Sequence, residues 1–364
     1  MTVEIRAACA PGEVRVAALR DGVLTDYMIW RPGHPDGVGD LHRGRVTAVV
    51  PAMAGAFVAI AGAEGFLPDS AGAAGRGVGD VLSVRVSRAA QGGKGPRLAA
   101  VAEGEGPAPA LLARGPGAVE VLAARYPEAA VRVDSPALAA LLRLGGRVAV
   151  VARAFDAALE NEVAALAEPE VALPGGGMLH VAATRALTAI DVDAGGRSGE
   201  RAGKAASQAA LNRDMLPELA RQIRLRNLSG AILVDFAGLS PRRRAALGPD
   251  LAAALRDDAL RPRLLGFTAL GLAEIVRARV HPPLHELLAG PHAAGLAALR
   301  RFAAEVAAAP GRRMRLRLAP AVHAALMADA VARAEAEAAA GAAVALLADP
   351  GLGAVGWAVE DAPR

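Results

Sequence analysis

The sequence predicts a mixed α/β chain of the α+β kind, with a small barrel near its N-terminus. Three patterns predict it. Short Gly- and Val-rich runs at close spacing fill residues 38–101. Two apolar runs end in aspartates, Thr188-Ala189-Ile190-Asp191-Val192-Asp193 and Ile232-Leu233-Val234-Asp235-Phe236. An arginine-rich helical stretch, Asn212 to Asn227, joins those two runs. Apolar runs of that length, rich in Ile and Val, read as buried strands, and short strands at regular spacing read as a barrel.

Taken in order, residues 1–35 alternate in short runs, Val14-Arg15-Val16 and Leu24 to Ile29, parted by Asp21-Gly22. An Asp-Gly pair between such runs predicts a hairpin. Strand-like pieces follow at 43–50, 55–61 and 80–88. Helical and strand segments then alternate from 107 to 172, at Leu111–Ala113, Ala130–Val133, Pro136–Leu144 and Arg147–Val151. Gly175-Gly176-Gly177 predicts a turn into the Asp191 strand rather than a phosphate loop, since no helix follows it. Pro217 is expected in the first turn of the joining helix, where a missing N–H costs little. Ser240-Pro241 starts a further helix carrying Arg242, Arg243 and Arg244. A strand at Arg263–Phe267 and a helix from Leu270 to Arg279 are expected next. Residues 281–293 read as a linker, and the tail from 294 as helix, strand (313–318), helix (320–340) and short strands.

Composition narrows the class. Of 364 residues, 53% are hydrophobic, which excludes a largely disordered chain. Only 3% are aromatic, so the cores must be built from Ala, Leu and Val. Nearly all positive charge is arginine, because Lys94 and Lys204 are the only lysines. A GC-rich genome explains that bias as a whole; local arginine clusters still mark polyanion contacts. Cys9 is the only cysteine, so one chain can form neither a disulfide nor a cysteine-based zinc site. With no apolar leader and no long apolar span, the expected location is cytoplasmic.

A carboxylate at the end of a buried strand must be solvated, paired or bound to a cation. Two of them, on strands joined by a helix, make a natural magnesium seat. Asp191 and Asp235 are therefore the candidate metal ligands and catalytic residues, with Asp193 as a further ligand candidate. In the barrel region, Phe57 and Phe66 can stack on bases, and Arg43, Arg45 and Lys94 can meet phosphates. The plainer alternative makes both phenylalanines barrel core.

The barrel region reads Gly39-Asp40-Leu41-His42-Arg43-Gly44-Arg45-Val46, then Ala56-Phe57-Val58-Ala59-Ile60, then Glu64-Gly65-Phe66-Leu67-Pro68, then Gly92-Gly93-Lys94-Gly95-Pro96-Arg97-Leu98. This series resembles the RNA-binding OB-fold of the ribonuclease E/G family. The resemblance strengthens downstream. Leu187 to Asp193 is similar to the family's L-x-A-I-D-(I/V)-N-S. Asn212 and Ala220-Arg221-Gln222-Ile223-Arg224-Leu225-Arg226-Asn227-Leu228-Ser229-Gly230 follow its arginine-rich helix. Ile232 to Phe236 matches I-(I/V)-(I/V)-D-F, and Gly271-Leu272, Glu274, Arg277 and Arg279 follow G-L-x-E-x-x-R-x-R.

The resemblance implies a short form similar to ribonuclease G. An RNase H-like subdomain (1–37 and 102–173) would be interrupted by the OB-fold RNA-binding barrel (38–101). A DNase I-like catalytic subdomain (174–280), the linker (281–293) and a small C-terminal α/β domain (294–364) would follow. It implies an endoribonuclease that hydrolyses single-stranded RNA, with Mg2+ (or Mn2+) on Asp191 and Asp235. Arg221, Arg224 and Arg226 become candidate phosphate clamps, although an arginine-rich helix is often only a solvated face. A homodimer through the small domain is possible by packing alone.

The chain departs from the family pattern at Asp193, where asparagine is usual, at Ala194 for serine, at Arg185 for glutamate and at Ala269 for arginine. The inserted pocket for an RNA 5′-monophosphate is expected to be missing. The chain passes from Leu98 through Gly104-Glu105-Gly106-Pro107 with no Arg-Thr pair after it. The paired-cysteine zinc link is missing too; His281, His285 and His292 lie near its place, and histidines alone predict no zinc. Two other functions compete. Asp191-Val192-Asp193 has the D-x-D spacing of a nucleotide-sugar glycosyltransferase, which accounts for neither Asp235 nor the barrel. A non-catalytic RNA-binding protein of the same fold is the other.

Overall fold

The computed structural model describes residues 2–102, 106–173, 176–184, 186–193, 201–236, 238–309 and 311–362, with side chains left aside for 201–209. Gly104, Glu105, Gly175, Arg185 and Ala194 lie outside the described residues.

The elements, in chain order, start with β1 (Val3–Ala10), β2 (Glu13–Arg20) and β3 (Val23–Trp30). Asp21 and Gly22 turn β2 into β3 with φ of 49° and 82°, a backbone that Asp tolerates and Gly adopts freely. Then come β4 (Leu41–Val50), β5 (Gly55–Ile60), β6 (Ala63–Pro68), β7 (Val81–Arg88), β8 (Arg97–Ala100) and β9 (Ala110–Ala113). They are followed by α1 (Ala118–Arg125), β10 (Ala130–Val133), α2 (Pro136–Leu141), β11 (Val148–Val150) and α3 (Ala157–Ala165). Next are β12 (Glu170–Ala172), β13 (Met178–Ala183), β14 (Leu187–Asp193), α4 (Arg201–Leu225) and β15 (Gly230–Phe236). After α5 (Pro241–Ala245) and α6 (Gly248–Ala254) come β16 (Arg263–Phe267) and β17 (Ala273–Arg277). The last are α7 (Leu284–Leu287), α8 (Gly290–Ala308), β18 (Met314–Leu318), α9 (Pro320–Ala328), α10 (Ala330–Ala340), β19 (Ala345–Ala348) and β20 (Trp357–Asp361).

These elements form two compact units. The first gathers residues 1–40, 113–157 and 286–364. Its larger sheet has the order β11-β10-β1-β2-β3. The first three strands run antiparallel, while β10 and β11 join in parallel. Alternate residues Ile5, Val14, Val16, Val131 and Val133 pack under Val119 and Leu122 of α1. A smaller sheet, β19-β18-β20, meets α8, α9 and α10 through Leu299, Phe302, Leu316, Leu318, Val322, Leu326 and Ala332. Asp329 accepts the Ala332 amide at 2.9 Å and so caps α10.

Residues 41–112 and 158–285 make the second unit. In it the strands run β5-β6-β8-β7-β4, and a further β4–β5 pairing closes them into a five-stranded barrel. The barrel is OB-like. Its core is Val46, Val58, Leu67, Leu82, Val84 and Leu98. Gly65 is required there, since a Cβ would stand 2.7 Å from the Leu98 side chain. The other sheet has the order β12-β13-β14-β15-β17-β16. Strands β14 and β15 run parallel, as a helical crossover through α4 demands, and the remaining pairs are antiparallel. One face of this sheet (Leu179, Ile190, Val192, Ile232, Val234, Phe236, Ile275) is buried under α4 and α6.

Two expected elements are corrected. Residues 273–277 form strand β17, not part of a helix from Leu270 to Arg279. Its burial alternates strictly, Ala273, Ile275 and Arg277 inward, a period of two that a helix cannot satisfy. Gly271 precedes it at φ 82°, which breaks any helix there. Pro217 lies deep inside α4, sixteen residues after its start at Arg201, not in a first turn. The helix keeps going because Met215, Leu216, Leu219, Ala220 and Ile223 anchor it to the sheet on both sides of the proline. Pro217 itself faces solvent.

Candidate nucleic-acid interface and carboxylate site

The alternation that buries Ile190 and Val192 turns Asp191 and Asp193 to the opposite, open face of the sheet. Asp235 follows the same rule between buried Val234 and Phe236. Asp191 and Asp235 are direct register partners across the parallel β14–β15 pair. Adjacent strands lie about 4.8 Å apart, so two directly opposed carboxylates can share one cation. The sequence-predicted pair is thus brought together by register.

The row extends further. His180 is the register partner of Asp191 on β13, and Glu170 is the partner of His180 on β12. The His180 Nδ1 and Glu170 Oε1 atoms are 3.7 Å apart. Glu170, His180, Asp191 and Asp235 therefore line one face at one level. Two residues back, the equivalent row is Ala182, Ala189, Leu233 and Glu274. Asp193 sits beside Met178 at the end of β14, exposed.

Asp235 has one strong partner. Arg244 Nη1 of α5 lies 2.5 Å from its Oδ1, with the Asp235 side chain 45% exposed. That oxygen is buried without a well-formed hydrogen bond. Arg244 also donates from Nε to the Leu239 carbonyl at 2.9 Å, which fixes the guanidinium on the loop after β15. The run Arg242-Arg243-Arg244 was the sequence signal for this contact. Which of the three would reach a carboxylate depends on the short helix, which sequence alone does not set. No such signal marked His180.

In the barrel, Phe57 and Phe66 are cross-strand partners on β5 and β6 with centroids 5.6 Å apart at 66°. They alternate with the inward Ala56, Val58 and Leu67, so they lie on the barrel's outer surface. The reading of both as barrel core is set aside by that alternation. Gly55 makes room for the Phe66 ring, since a Cβ there would stand 2.6 Å from ring carbon Cζ. Arg45 is exposed on β4 and donates to the Gly79 carbonyl at 3.3 Å. Arg43, half-buried, donates to Ser83 Oγ at 3.3 Å. Lys94 is exposed in the Gln91–Lys94 turn.

The α4 arginines divide differently from the expectation. Arg226 is 6% exposed. Its Nε donates to Gln222 Oε1 at 2.9 Å, Nη1 to the Glu168 carbonyl at 2.5 Å and Nη2 to the Ala165 carbonyl at 3.4 Å. Burial holds its pKa below the ordinary arginine range, with Glu168 pulling the other way. Arg226 is therefore a structural pin on the end of α3, not a phosphate clamp. Arg221 is likewise committed, paired with Glu218 at 2.8 Å and with Glu162. Arg224 is half-buried. Two more motif residues join the structural set. Buried Arg277 donates from Nε to Asp258 at 2.7 Å and from Nη1 to Asn227 Oδ1 at 2.6 Å. Asn227 in turn donates to the His281 and Pro282 carbonyls. Much of the arginine motif therefore builds the frame of the sheet.

Barrel and sheet meet where the Ala89 amide donates to the Val280 carbonyl at 2.8 Å. An OB-like barrel joined to a sheet with register-paired aspartates is a layout suited to a polyanion and a cation. Comparison with known proteins agrees with the motifs. Residues 145–280 match the Ribonuclease E/G family. Ribonuclease E of Nostoc sp. is 39% identical over 122 residues, 33% of this chain and 18% of that protein. Ribonuclease E of Escherichia coli is 35% identical over 130 residues, 35% of this chain and 12% of that protein. Ribonuclease G of Escherichia coli is 35% identical over 136 residues, 37% of this chain and 27% of that protein. Through this segment the chain is similar to the ribonuclease E/G family. Its match spans between 12% and 27% of the length of these relatives. Among the described residues no helix is long and apolar enough to cross a membrane.

Proposed function

We propose that this chain is a magnesium-dependent endoribonuclease that hydrolyses phosphodiester bonds of single-stranded RNA. The carrying observation is the direct register of Asp191 with Asp235 inside the segment that matches the family. The donor set fits the ion: hard carboxylate oxygens from two rigid strands, open on one side for water and phosphate. Manganese fits the same donors. When bound, the ion supplies Lewis-acid stabilisation of the phosphoryl charge and a more acidic water.

The chain's own residues do the rest. Asp191 and Asp235 hold the ion, and Asp193 adds a third carboxylate within reach of the same face. Arg244 orients Asp235 and competes for its buried oxygen. Phe57 and Phe66 stack bases, worth about 1–3 kcal/mol each by the usual alanine measure. Arg43, Arg45 and Lys94 meet phosphates, and Arg224 remains a candidate contact. The β11-β10-β1-β2-β3 sheet supports the RNase H-like assignment, and the α4/α6-backed sheet the DNase I-like one. A homodimer through the small C-terminal sheet and its helices belongs to the same proposal.

One observation favours a second reading, a catalytically weakened RNA-binding protein: the 2.5 Å grip of Arg244 on Asp235. Incubating the protein with a labelled single-stranded AU-rich RNA, with and without magnesium, separates the two. Magnesium-dependent cleavage that Asp191→Asn and Asp235→Asn each abolish supports the first. Binding with no magnesium-dependent cleavage supports the second.

A further inference from the structure

We infer that Arg88, Arg97 and Arg279 form an anion seat that grips one backbone phosphate of single-stranded RNA at the junction of barrel and sheet. Arg88 and Arg97 are direct register partners on β7 and β8. The Ala89–Val280 backbone bond sets Arg88 beside Arg279. Arg279 reaches the junction by packing its guanidinium on Gly230, where a Cβ would stand 2.3 Å from Nη2. Gly230 thus leaves the space that the guanidinium occupies.

Three guanidiniums converge here, and among the described residues none of them has a carboxylate partner. Nε of Arg88 is moreover buried with no hydrogen-bond acceptor. A buried donor left unmade and like charges at close range are both unfavourable. The closeness registers in Arg88, whose pKa is lowered first by burial and then by the charges of Arg97 and Arg279. A single anion relieves both costs, and the planar arginine fork matches phosphate geometry.

The seat also lies in line with the aromatic pair. Phe57, Phe66, Arg97 and Arg88 are successive cross-strand partners on β5, β6, β8 and β7. Stacking surface followed by cationic seat is the order in which a single strand presents bases and phosphates. Gly230, under Arg279, stands five residues before Asp235 on β15, about 17 Å at roughly 3.3 Å per residue. The seat therefore holds a different phosphate of the strand from the one that meets the carboxylates. This inference rests on the RNA reading of the site.

The test measures binding in EDTA, by anisotropy of a single-stranded AU-rich 12-mer across a salt series. Arg97→Gln and Arg88→Gln should each weaken binding about tenfold at moderate salt and lower the salt slope by about 0.7, one phosphate's share. Arg97→Lys should restore most of the slope, and thermal unfolding should show all three variants folded. A scan with one uncharged methylphosphonate at each position should find one sensitive linkage, which loses its sensitivity in Arg97→Gln. Equal salt slopes in wild type and variants, or a penalty that adds to Arg97→Gln at every linkage, overturns the seat. Seat-dependent binding without magnesium-dependent cleavage upholds the seat and removes the endonuclease reading. Cleavage with unchanged slopes does the reverse, and a wild-type chain that binds no RNA removes both.

Discussion

Replacing Arg226 with methionine should unfold the second unit more easily and leave RNA binding alone. The side chain is 6% exposed and donates to Gln222 Oε1 and to the Glu168 and Ala165 carbonyls. Methionine keeps much of the volume and removes every donor. Three acceptors then lose their partner; at about 1–3 kcal/mol each, the gross loss is at most about 3–9 kcal/mol, toward the low end because the two carbonyl bonds are only part-buried. Relief of the buried charge offsets part of this, leaving a net cost of about 2–4 kcal/mol. With a urea m-value of about 2–3 kcal/mol per molar, the midpoint for that unit should fall by roughly 1 M. Urea titration followed by circular dichroism reads that shift, and RNA anisotropy on the folded variant reads the salt slope. An unchanged midpoint with a shallower salt slope would instead put Arg226 on the RNA surface.

The other predictions follow from equally local features. Pro217→Ala should raise stability by about 1–2 kcal/mol. It restores the α4 amide bond to the Arg213 carbonyl, while alanine gives back some unfolded-state entropy; a fall in the urea midpoint contradicts this. Cys9 should resist iodoacetamide at pH 8.5 in the folded protein, because burial and then the Asp134 carboxylate push its thiol up to about 12. Since its folded pKa is raised, its contribution to stability is full below the unfolded value near 8.5. That contribution is lost as pH rises from there toward 12, and rapid alkylation of native protein at pH 8.5 opposes this. Cleavage rates on 5′-monophosphate, 5′-triphosphate and 5′-hydroxyl RNAs should agree within a few fold. A large monophosphate preference contradicts the expected loss of that pocket.

The elements most legible in the sequence were those with strong local signatures. The two aspartate strands announced themselves by apolar runs, and their parallel orientation followed from the helical crossover through α4; their register did not, and the structure supplies it. The outward placement of Phe57 and Phe66 was open until the barrel fixed the phase of β5 and β6, because a one-residue slip exchanges the faces. The α4 arginines misled for a physical reason. Sequence places Arg221, Arg224 and Arg226 on one helical stretch, and only the fold shows that Glu162 takes Arg221 and that the Glu168 and Ala165 carbonyls take Arg226, one residue past the end of α4. The same limit hid Arg244 and the junction of Arg88, Arg97 and Arg279, whose members come from β7, β8 and the segment just after β17. β17 itself was mistaken for helix because five residues are too few to separate the two periods when Gly271 is the only breaker.

In the proposed reading the register-paired aspartates act as one metal-dependent centre. Single-turnover cleavage of a labelled single-stranded AU-rich RNA, in magnesium and in EDTA, tests it with wild type, Asp191→Asn, Asp235→Asn and the double variant. Cleavage is expected only with magnesium, with a loss of at least about a thousandfold in either single variant and no further loss in the double, since residues acting as a unit are not additive. RNA affinity in EDTA should stay within about threefold of wild type. Cleavage that persists in both single variants, or that proceeds equally in EDTA, contradicts it.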